Sequence, residues 1–455
     1  MLNRWNTAER SFETFLLMFI IFQPILDLLT SLCIVVLKIN TTVGIMARLV
    51  VMGIGILYLL IKSREKENRK YLYYIVTLGI ILGIGLVNNI LIKKPILLGE
   101  EVKFVAKVMY PFVMISCYIL AFKSLKAKEN IYNKVRNNIL YATLIINSVM
   151  VISVATKTDW NSYEYLKTGS RGWFYAGNEL GAILALAMPI VLLYTIQQTT
   201  SMKKLYYWIP TLLMIFSLLA VGTKVGYGAI FASLATALVM CLIQLFLERK
   251  NEAKKKVLLL HSILTAIVFI GVIVITPLTP IAKNTGLHMQ LIEQQAGSQA
   301  AKPEPPEKKK EEEQKRQQEE AAALIFSGRQ KFLEMYKVYF KEAPLSQKLF
   351  GMGYGGNFKE QPKMVERDFH DMFFSFGIVG FLVIMLPAII YGLRLLITIF
   401  KRFKEVFTLK YALIAASLAL ALGIAYTAGH VFTAPGVSIY FSVLLAYLVV
   451  DLGIE

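Results

Sequence analysis

The sequence KPEPPEKKKEEEQKRQQEEAAA, residues 302–323, is the most polar part of the chain and lies within an interruption that runs from Pro277 to His370. Apolar sequence stands on both sides of this interruption in blocks long enough for membrane helices. The interruption therefore divides the chain into three predicted parts. They are a membrane domain of nine helices (1–276), a long loop (277–370) and a membrane domain of three helices (371–455).

The composition is that of a membrane protein. Hydrophobic residues make up 56% of the 455 residues and charged residues only 17%, against about 25% charged residues in a typical soluble protein. The formal net charge of +19 would suggest nucleic-acid binding in a soluble chain. Here, however, the Lys and Arg residues lie in short linkers between apolar runs, where they set membrane topology. We therefore expect membrane lipid, and no nucleic acid, among the partners.

Twelve apolar runs long enough to cross a bilayer predict an all-α polytopic membrane protein with about twelve transmembrane helices. The runs lie near residues 12–37, 42–61, 72–92, 104–122, 137–155, 174–197, 206–222, 225–247, 257–276, 372–399, 411–428 and 435–453. Every second linker is basic, so the positive-inside rule places these linkers and both termini in the cytoplasm. The other linkers, including the 277–370 loop, are then extracytoplasmic.

Cysteine and metal chemistry finds no support in the residue pattern. Cys33, Cys117 and Cys241 all fall in apolar segments, which predicts buried free thiols and no disulfide framework. The four histidines show no metal-ligand spacing. We therefore expect neither a metal nor another cofactor.

The long loop itself is predicted to contain helices. Glu and Lys or Arg residues at i, i+4 spacing between residues 307 and 323 predict a solvent-exposed helix without a catalytic role. After it, Ser327 and Gln330 match a capping box, and Arg329 would lie in the first turn of the next helix. The aromatic residues of that helix repeat on one face, which predicts packing on the roof of the membrane domain or in the interface.

A glycine motif follows this helix. Gly351, Gly353 and Gly356 match G-x-G-x-x-G letter by letter, but no strand precedes them and no βαβ unit surrounds them, so a dinucleotide site is rejected. Two interpretations stay open: a loop that folds closely over a substrate, or a simple turn into the membrane.

Cations inside or at the rim of predicted spans are costly, and each is by default a functional hypothesis. Those near the extracytoplasmic face are predicted to converge on one cavity that suits a lipid diphosphate. They are Arg48, Lys107, Arg171, Lys224 and Arg329. Two alternatives stay open, because Arg48 could neutralise Asp27 and Arg329 could pair with a loop carboxylate.

A candidate base lies where the loop re-enters the membrane. An imidazole, whose ordinary pKa is about 6.5, is the usual proton acceptor near neutral pH, and His370 occupies this place. Glu366 and Asp368 are close in sequence and are alternative bases. A histidine satisfied by a neighbouring carboxylate is the structural alternative. His430 could face the same cavity or only pack a short turn.

Short motifs occur in a particular order along the chain. They are TGSRGWF (168–174), GTK (222–224), SGR (327–329), LFGMG (349–353) and His370 ahead of GIVG (377–380). With the topology and the loop position, this order resembles the O-antigen ligase and O-antigen polymerase family of membrane glycosyltransferases over most of the chain. Family members often have Ser-Arg where this chain has Thr223-Lys224, which keeps the charge but loses the bidentate fork. His370 is followed by Asp371 rather than a small neutral residue, which leaves the base assignment open.

The resemblance implies a GT-C-like fold and a metal-independent, inverting glycosyltransferase. Such an enzyme moves a glycan from a polyprenyl (undecaprenyl) diphosphate carrier to an acceptor hydroxyl of a glycan or cell-surface molecule, at the extracytoplasmic face of the bacterial plasma membrane. It would polymerise or ligate a cell-surface polysaccharide such as a capsule or cell-wall polymer. Arg171 and Arg329 look like the family's diphosphate-binding arginines, and His370 looks like its base.

The residues do not separate a polymerase from a ligase, because both reactions use the same groups. The alternative class is a transporter or flippase of lipid-linked oligosaccharide. A transporter would be expected to keep its polar groups near the bilayer midplane, often in two related repeats. The predicted clustering of cations at one rim favours glycosyl transfer.

Overall fold

A computed structural model of the chain describes residues 2–39, 42–126, 130–163, 167–299 and 329–455. Within these ranges the regular secondary structure is helical, and the only β-pairing is an isolated bridge between Asn161 and Ser170. The charged helix predicted between residues 307 and 323, and the predicted capping residue Ser327, lie outside the described residues.

The α-helices are labelled in chain order. They are α1 (Leu2–Ser31), α2 (Val43–Lys62), α3 (Arg69–Ile92), α4 (Leu98–Leu125), α5 (Ile131–Ala155), α6 (Gly177–Gln198), α7 (Ile209–Val221), α8 (Lys224–Leu247), α9 (Glu252–Ile275), α10 (Pro280–Gln299), α11 (Arg329–Glu342), α12 (Leu345–Phe350), α13 (Asp368–Lys401), α14 (Phe403–Val406), α15 (Leu409–Thr427) and α16 (Pro435–Leu452). Twelve helices of the described chain, α1–α9, α13, α15 and α16, are long and apolar enough to cross a membrane. This confirms the predicted all-α polytopic membrane fold.

Three helices form the centre of the bundle. In the apolar stretches of α6 and α16, 89% of the residues are buried inside the protein, and in α4 78% are, whereas in α9 only 22% are. Helices that are apolar on all sides but little buried must turn their remaining apolar surface to lipid. α16 runs along α4, where the Ser442 hydroxyl donates a hydrogen bond to the Pro111 carbonyl oxygen at 3.2 Å.

One end of the bundle collects the segments that carry the predicted functional residues, and we term it the loop end. It consists of the linker 156–176, the turn at Gly222 and Thr223, α10, the segment 329–367 and the turn 428–434. These segments are far apart in sequence but follow or precede alternate spans, so the chain must bring them to the same end.

Helix α11 lies against α13 through aromatic side chains. Tyr336 is fully buried, and its ring centroid lies 5.4 Å from that of Phe374. The Phe340 ring contacts Phe373 and Phe374 at 5.3 and 5.6 Å. Burial of such side chains stabilises a contact by about 1.5–3 kcal/mol each. This face of α11 therefore fixes the segment 329–367 on the membrane helices.

The glycine motif docks the same segment on α3 and α4. Glu101 of α4 accepts a hydrogen bond from the Tyr354 backbone N–H at 2.8 Å and pairs with the Lys93 ammonium at 2.6 Å. Gly351 and Gly353 have φ values of 94° and 69°, a region that glycine tolerates best. A Cβ on Gly353 would lie 2.6 Å or less from both Glu101 carboxylate oxygens. The motif is thus a backbone turn that seats on the membrane helices.

We expect Gly351→Ala to loosen the segment 329–367. Its Cβ would overlap the backbone carbonyl of Ser375, and its φ is unfavourable for alanine, which together cost about 2–4 kcal/mol. Trypsin should then cut faster after the exposed Lys359. The matched control is Gly392→Ala in α13, where an added Cβ meets nothing within 4 Å; equal cleavage rates in the two variants would contradict the expectation.

Candidate active site

A cavity of about 280 Å³ lies at the loop end, between segments that are remote in sequence. We term it the cationic cavity. Its polar lining residues are Tyr163, Lys167, Asn178, Thr223, Lys224, Asn284, Arg329, Glu366, Thr427 and His430. The described lining thus carries three cations, Lys167, Lys224 and Arg329, against the single carboxylate of Glu366. A surplus of positive charge in a partly dry cleft attracts anions.

Asn284 of α10 holds the cavity wall together. Its side-chain amide donates to the carbonyl oxygens of Thr168 and Gly222, at 2.7 and 3.0 Å, and its carbonyl oxygen accepts from the Thr168 N–H at 2.8 Å. Asn284 is 4% exposed, so these bonds are shielded from water. One buried side chain therefore fixes the relative positions of the 167–176 linker and the turn before α8.

Lys224 is placed by the start of α8. Gly222 adopts a left-handed conformation with φ 72°, and the Thr223 hydroxyl accepts the Gly226 N–H at 3.1 Å as the helix N-cap. Lys224 is then the first residue of the helix. The macrodipole disfavours a cation at this end but favours an anion beside it. The ammonium group and the helix end therefore act together on any phosphate in the cavity.

Arg329 and Glu366 face each other within the cavity. The Arg329 Nη2 lies 3.4 Å from Glu366 Oε2, and the Lys363 Nζ lies 2.6 Å from Glu366 Oε1. Burial raises the pKa of Glu366, but Lys363 and Arg329 outweigh it, so the net pKa falls below its ordinary value. Glu366 is therefore a carboxylate that orients Arg329 and is a weak base. The Arg329 Nε is buried and has no hydrogen-bond partner in the described part of the chain.

Two residues of the cavity have a strained backbone. Glu366 has φ 62° and His430 has φ 64°, a conformation that costs a non-glycine residue about 1–3 kcal/mol and is common at functional sites. The two strained turns touch, since a Cβ on Gly429 would lie 2.7 Å from the Glu366 carbonyl oxygen. This strain is an independent sign that the cavity is functional.

Asp368 and Asp371 hold the two strained turns in place. Asp368 is fully buried and accepts the backbone N–H groups of His430, Val431 and Phe432, at 3.1, 2.7 and 2.8 Å, together with the Thr433 hydroxyl. Asp371 accepts the N–H groups of Val365 and Arg367 in the other turn.

These contacts correct one sequence prediction. A base must reach its substrate with a free lone pair, and the Asp368 carboxylate is enclosed and accepts four hydrogen bonds. The geometry therefore favours a positioning role for Asp368 over the predicted role of base.

The two histidines at the loop end take different places. His430 lines the cationic cavity, and its Nε2 has no hydrogen-bond partner among the described residues. His370 does not line that cavity and lies beside Tyr426, with the ring centroids 6.1 Å apart. Its Nδ1 likewise lacks a partner within the described ranges. The Arg367 guanidinium also lies over the Tyr426 ring, 4.7 Å from its centroid.

Arg171 lies beside the first turn of α6. Its Nη1 donates to the Tyr175 carbonyl oxygen, and its guanidinium lies 6.0 Å from the Trp160 ring centroid and 5.8 Å from that of Tyr175. Its Cβ is 3.7 Å from where a Cβ of Gly177 would stand. Arg171 is thus next to Asn178 of the cavity wall, although it is not itself among the lining residues.

Arg48 and Lys107 line a different cavity, so the predicted convergence of all five cations is wrong. Arg48 is 3% exposed, with Nη2 2.7 Å from Asp27 Oδ1 and Nε 2.8 Å from Gln23 Oε1. The structure therefore contains the neutralising pair with Asp27 that the sequence left open. Packing of the start of α6 between the two cavities causes the separation, and topology alone does not predict it.

Sequence reasoning also missed residues of the cationic cavity. Lys167 and Asn284 line it but belong to no motif that singles them out. For His430, the sequence left open whether it faces the cavity or only packs a short turn, and the structure places it in the cavity lining. Within the described ranges, no group of three or more His, Cys, Asp or Glu side chains is arranged to hold a metal.

Comparison with known families agrees with this architecture. A sequence model of the family described as O-antigen ligase like membrane protein matches residues 9–455 of the chain. Searches of curated proteins and of solved structures gave no significant match. The family match spans nearly the whole chain, in agreement with the resemblance that the order of short motifs predicted.

Proposed function

We propose that this chain, which belongs to the family of O-antigen ligase-like membrane proteins, is a metal-independent, inverting glycosyltransferase. It takes a glycan from a polyprenyl diphosphate carrier and passes it to an acceptor hydroxyl during assembly of a cell-surface polysaccharide. The observation that carries this proposal is the surplus of positive charge in the cationic cavity, where Lys167, Lys224 and Arg329 face one carboxylate.

The cations would stabilise the leaving group. When the bond between sugar and phosphate breaks, negative charge develops on the diphosphate, and preorganised cations in a partly dry site stabilise such charge strongly. Arg329 offers a planar fork for two phosphate oxygens and Lys224 a compact charge at a helix start. His430, whose Nε2 lacks a partner among the described residues, would add a hydrogen bond to the diphosphate. Arg171 would lie at the edge of the diphosphate site, beside the first turn of α6.

The base is then expected outside the diphosphate site. Inversion requires the acceptor hydroxyl to attack the anomeric carbon on the side opposite the leaving diphosphate. A base lying among the phosphate-binding cations would be on the wrong side. His370 lies next to the cavity turn but does not line the cavity, so we assign to it the removal of the proton from the acceptor hydroxyl. Glu366 would orient Arg329, and Asp368 would fix the turn that contains His430.

The membrane orientation follows from the charges of the linkers. Basic linkers lie at the end opposite the loop end, which by the positive-inside rule is cytoplasmic. The loop end would then face the extracytoplasmic side of a bacterial plasma membrane, and the prenyl tail of the donor would lie in the lipid beside the helices. Cell-surface polysaccharides such as capsule or wall polymers are assembled on that side.

The pH dependence of kcat, compared between wild type and a Glu366 variant, separates a histidine base from Glu366. Because the pKa of Glu366 is below 4.5, its ordinary value, a Glu366 base would stay deprotonated and active until the pH fell below that value. We expect the rate to fall as the pH is lowered, which gives the pH profile an acidic limb, because protonation of the base removes its acceptor lone pair. Glu366→Gln should keep this acidic limb; its loss in that variant would show that Glu366 is the base.

One incubation tests the function as a whole. Purified protein in lipid nanodiscs is mixed with lipid-linked glycan, with and without a separate acceptor, and the products are separated by mass. Release of polyprenyl diphosphate with longer lipid-linked chains identifies a polymerase, and release with a modified acceptor identifies a ligase. Absence of released diphosphate in both incubations would contradict the proposal, and movement of intact lipid-linked glycan across the membrane of proteoliposomes would then favour a flippase.

A further inference from the structure

A second cavity, of about 340 Å³, lies at the loop end beside α1, α2, α4, α5 and α6. We term it the mixed-charge cavity. Its charged and aromatic lining residues are Asp27, Arg48, Lys103, Lys107, Phe174, Tyr175 and Glu179. The reaction proposed above uses none of them.

The two cavities share one wall. Along the first turns of α6, Asn178 and Gly181 line the cationic cavity, whereas Glu179, Leu180 and Ile183 line the mixed-charge cavity. An α-helix with its side chains is about 10–12 Å across. The cavities are therefore separated by roughly one helix diameter, a distance that a short oligosaccharide spans.

The charges of the second cavity do not suit a diphosphate. Arg48 is paired with Asp27 at 2.7 Å, and the Lys103 Nζ lies 3.4 Å from Glu100. This leaves Lys107 and Glu179, neither of which forms an ion pair with any described residue, and their charges cancel. A compact dianion bound there would gain little net attraction and would meet the Glu179 carboxylate.

The same lining suits a sugar. Carboxylate groups accept strong hydrogen bonds from hydroxyl groups, and ammonium groups donate them. Lys107 and Glu179 are suited to this role because neither has an ion-pair partner among the described residues. The ring of Tyr175, which is 45% exposed, offers an apolar face for the C–H side of a pyranose. Lys107 sits on α4 and Glu179 on α6, two of the central helices of the bundle, so both side chains project from rigid elements.

We propose that the mixed-charge cavity is a saccharide subsite that binds an uncharged part of a glycan while the carrier diphosphate occupies the cationic cavity. This inference rests on the proposed glycosyl transfer. The saccharide is either the part of the donor glycan beyond the transferred sugar or the acceptor glycan. Lys107 and Glu179 would hold its hydroxyl groups, and Tyr175 would stack on its ring.

Binding measurements test the subsite without requiring turnover. Full-length protein in nanodiscs is titrated with three probes: undecaprenyl diphosphate without sugar, lipid-linked glycan extracted from the source cells, and the same glycan released from its carrier. Lys107→Met and Glu179→Gln are compared with Lys123→Met, a control at the far end of α4 where Lys123 pairs with the exposed Glu67. Thermal melting of each variant checks that it is folded.

We expect Lys107→Met and Glu179→Gln to lower the binding affinity for one of the glycan probes by about tenfold or more, the effect of losing a charge-assisted hydrogen bond. Binding of the bare carrier should stay within about twofold of wild type, and the control should match wild type throughout. Weaker binding of the lipid-linked glycan alone indicates the donor glycan, and weaker binding of the released glycan indicates the acceptor.

Two results would overturn the inference. Unchanged binding of both glycan probes would show that the cavity binds no saccharide, and equally weakened binding of the bare carrier would show that it holds phosphate. Because these are binding constants, a protein that performs no glycosyl transfer would still show whether the subsite exists. Failure of the proposed reaction and failure of the subsite are therefore distinguishable.

Discussion

Replacement of Arg329 by alanine is expected to lower kcat for glycan transfer by about two to three orders of magnitude, the effect of removing one preorganised group that stabilises developing charge. Its guanidinium is only 13% exposed and lies 3.4 Å from the Glu366 carboxylate, which orients it within the cavity. Affinity for bare polyprenyl diphosphate should fall as well, because the same group contacts the ground-state phosphate.

Two further variants make the Arg329 result specific. Arg329→Lys keeps the charge but loses the planar fork, so an intermediate loss is expected. Lys341→Ala, near the end of the same helix, removes an exposed lysine and should have no effect. If Arg329→Ala transferred glycan at the wild-type rate, the cationic cavity would not be the site of leaving-group stabilisation.

Replacement of His370 by alanine is expected to lower kcat by about 10² to 10⁴, the usual contribution of a general base. Because His370 lies outside the cationic cavity, donor binding should be unchanged, and the acidic limb of the pH profile should disappear. The measurement is single-turnover transfer from lipid-linked glycan, with donor affinity determined separately.

His430→Ala provides the comparison for His370. We expect this variant to weaken binding of the bare carrier while keeping the acidic limb, because His430 lines the diphosphate cavity. The opposite pattern, with kcat and the acidic limb lost in His430→Ala and retained in His370→Ala, would show that the base lies inside the cavity.

Hydropathy predicted the membrane helices because the length of a span and its apolar character are local properties of the sequence. The charge of the linkers likewise grouped the polar segments at one end of the bundle, and the structure places Lys224, Arg329 and Glu366 around one cavity there. This much needed only the order of the spans, since alternate linkers of a polytopic protein meet at the same end.

The assignment of each residue to a cavity needed the packing of the helices. Arg48 looked equivalent to Lys224 in the sequence, yet the start of α6 lies between their cavities. Asp368 looked equivalent to Glu366, but only the tertiary fold brings the 430–433 turn to its carboxylate. Burial and long-range hydrogen bonds decide such roles, and neither has a periodicity that can be read along the chain.

The glycine motif shows the same limit. Its spacing left open a loop that folds over a substrate and a simple turn into the membrane, and the choice depends on which residues the motif contacts. Glu101 and Lys93 lie more than 250 residues earlier in the chain, and their contacts with Tyr354 settle this question.

An electron cryo-microscopy structure with undecaprenyl diphosphate in nanodiscs would show whether the cationic cavity holds the diphosphate of a lipid carrier. We expect density for the two phosphates between Lys224 and Arg329, within hydrogen-bond distance of His430. Phosphate density beside Lys107 and Glu179 in the mixed-charge cavity, with the cationic cavity empty, would contradict this expectation.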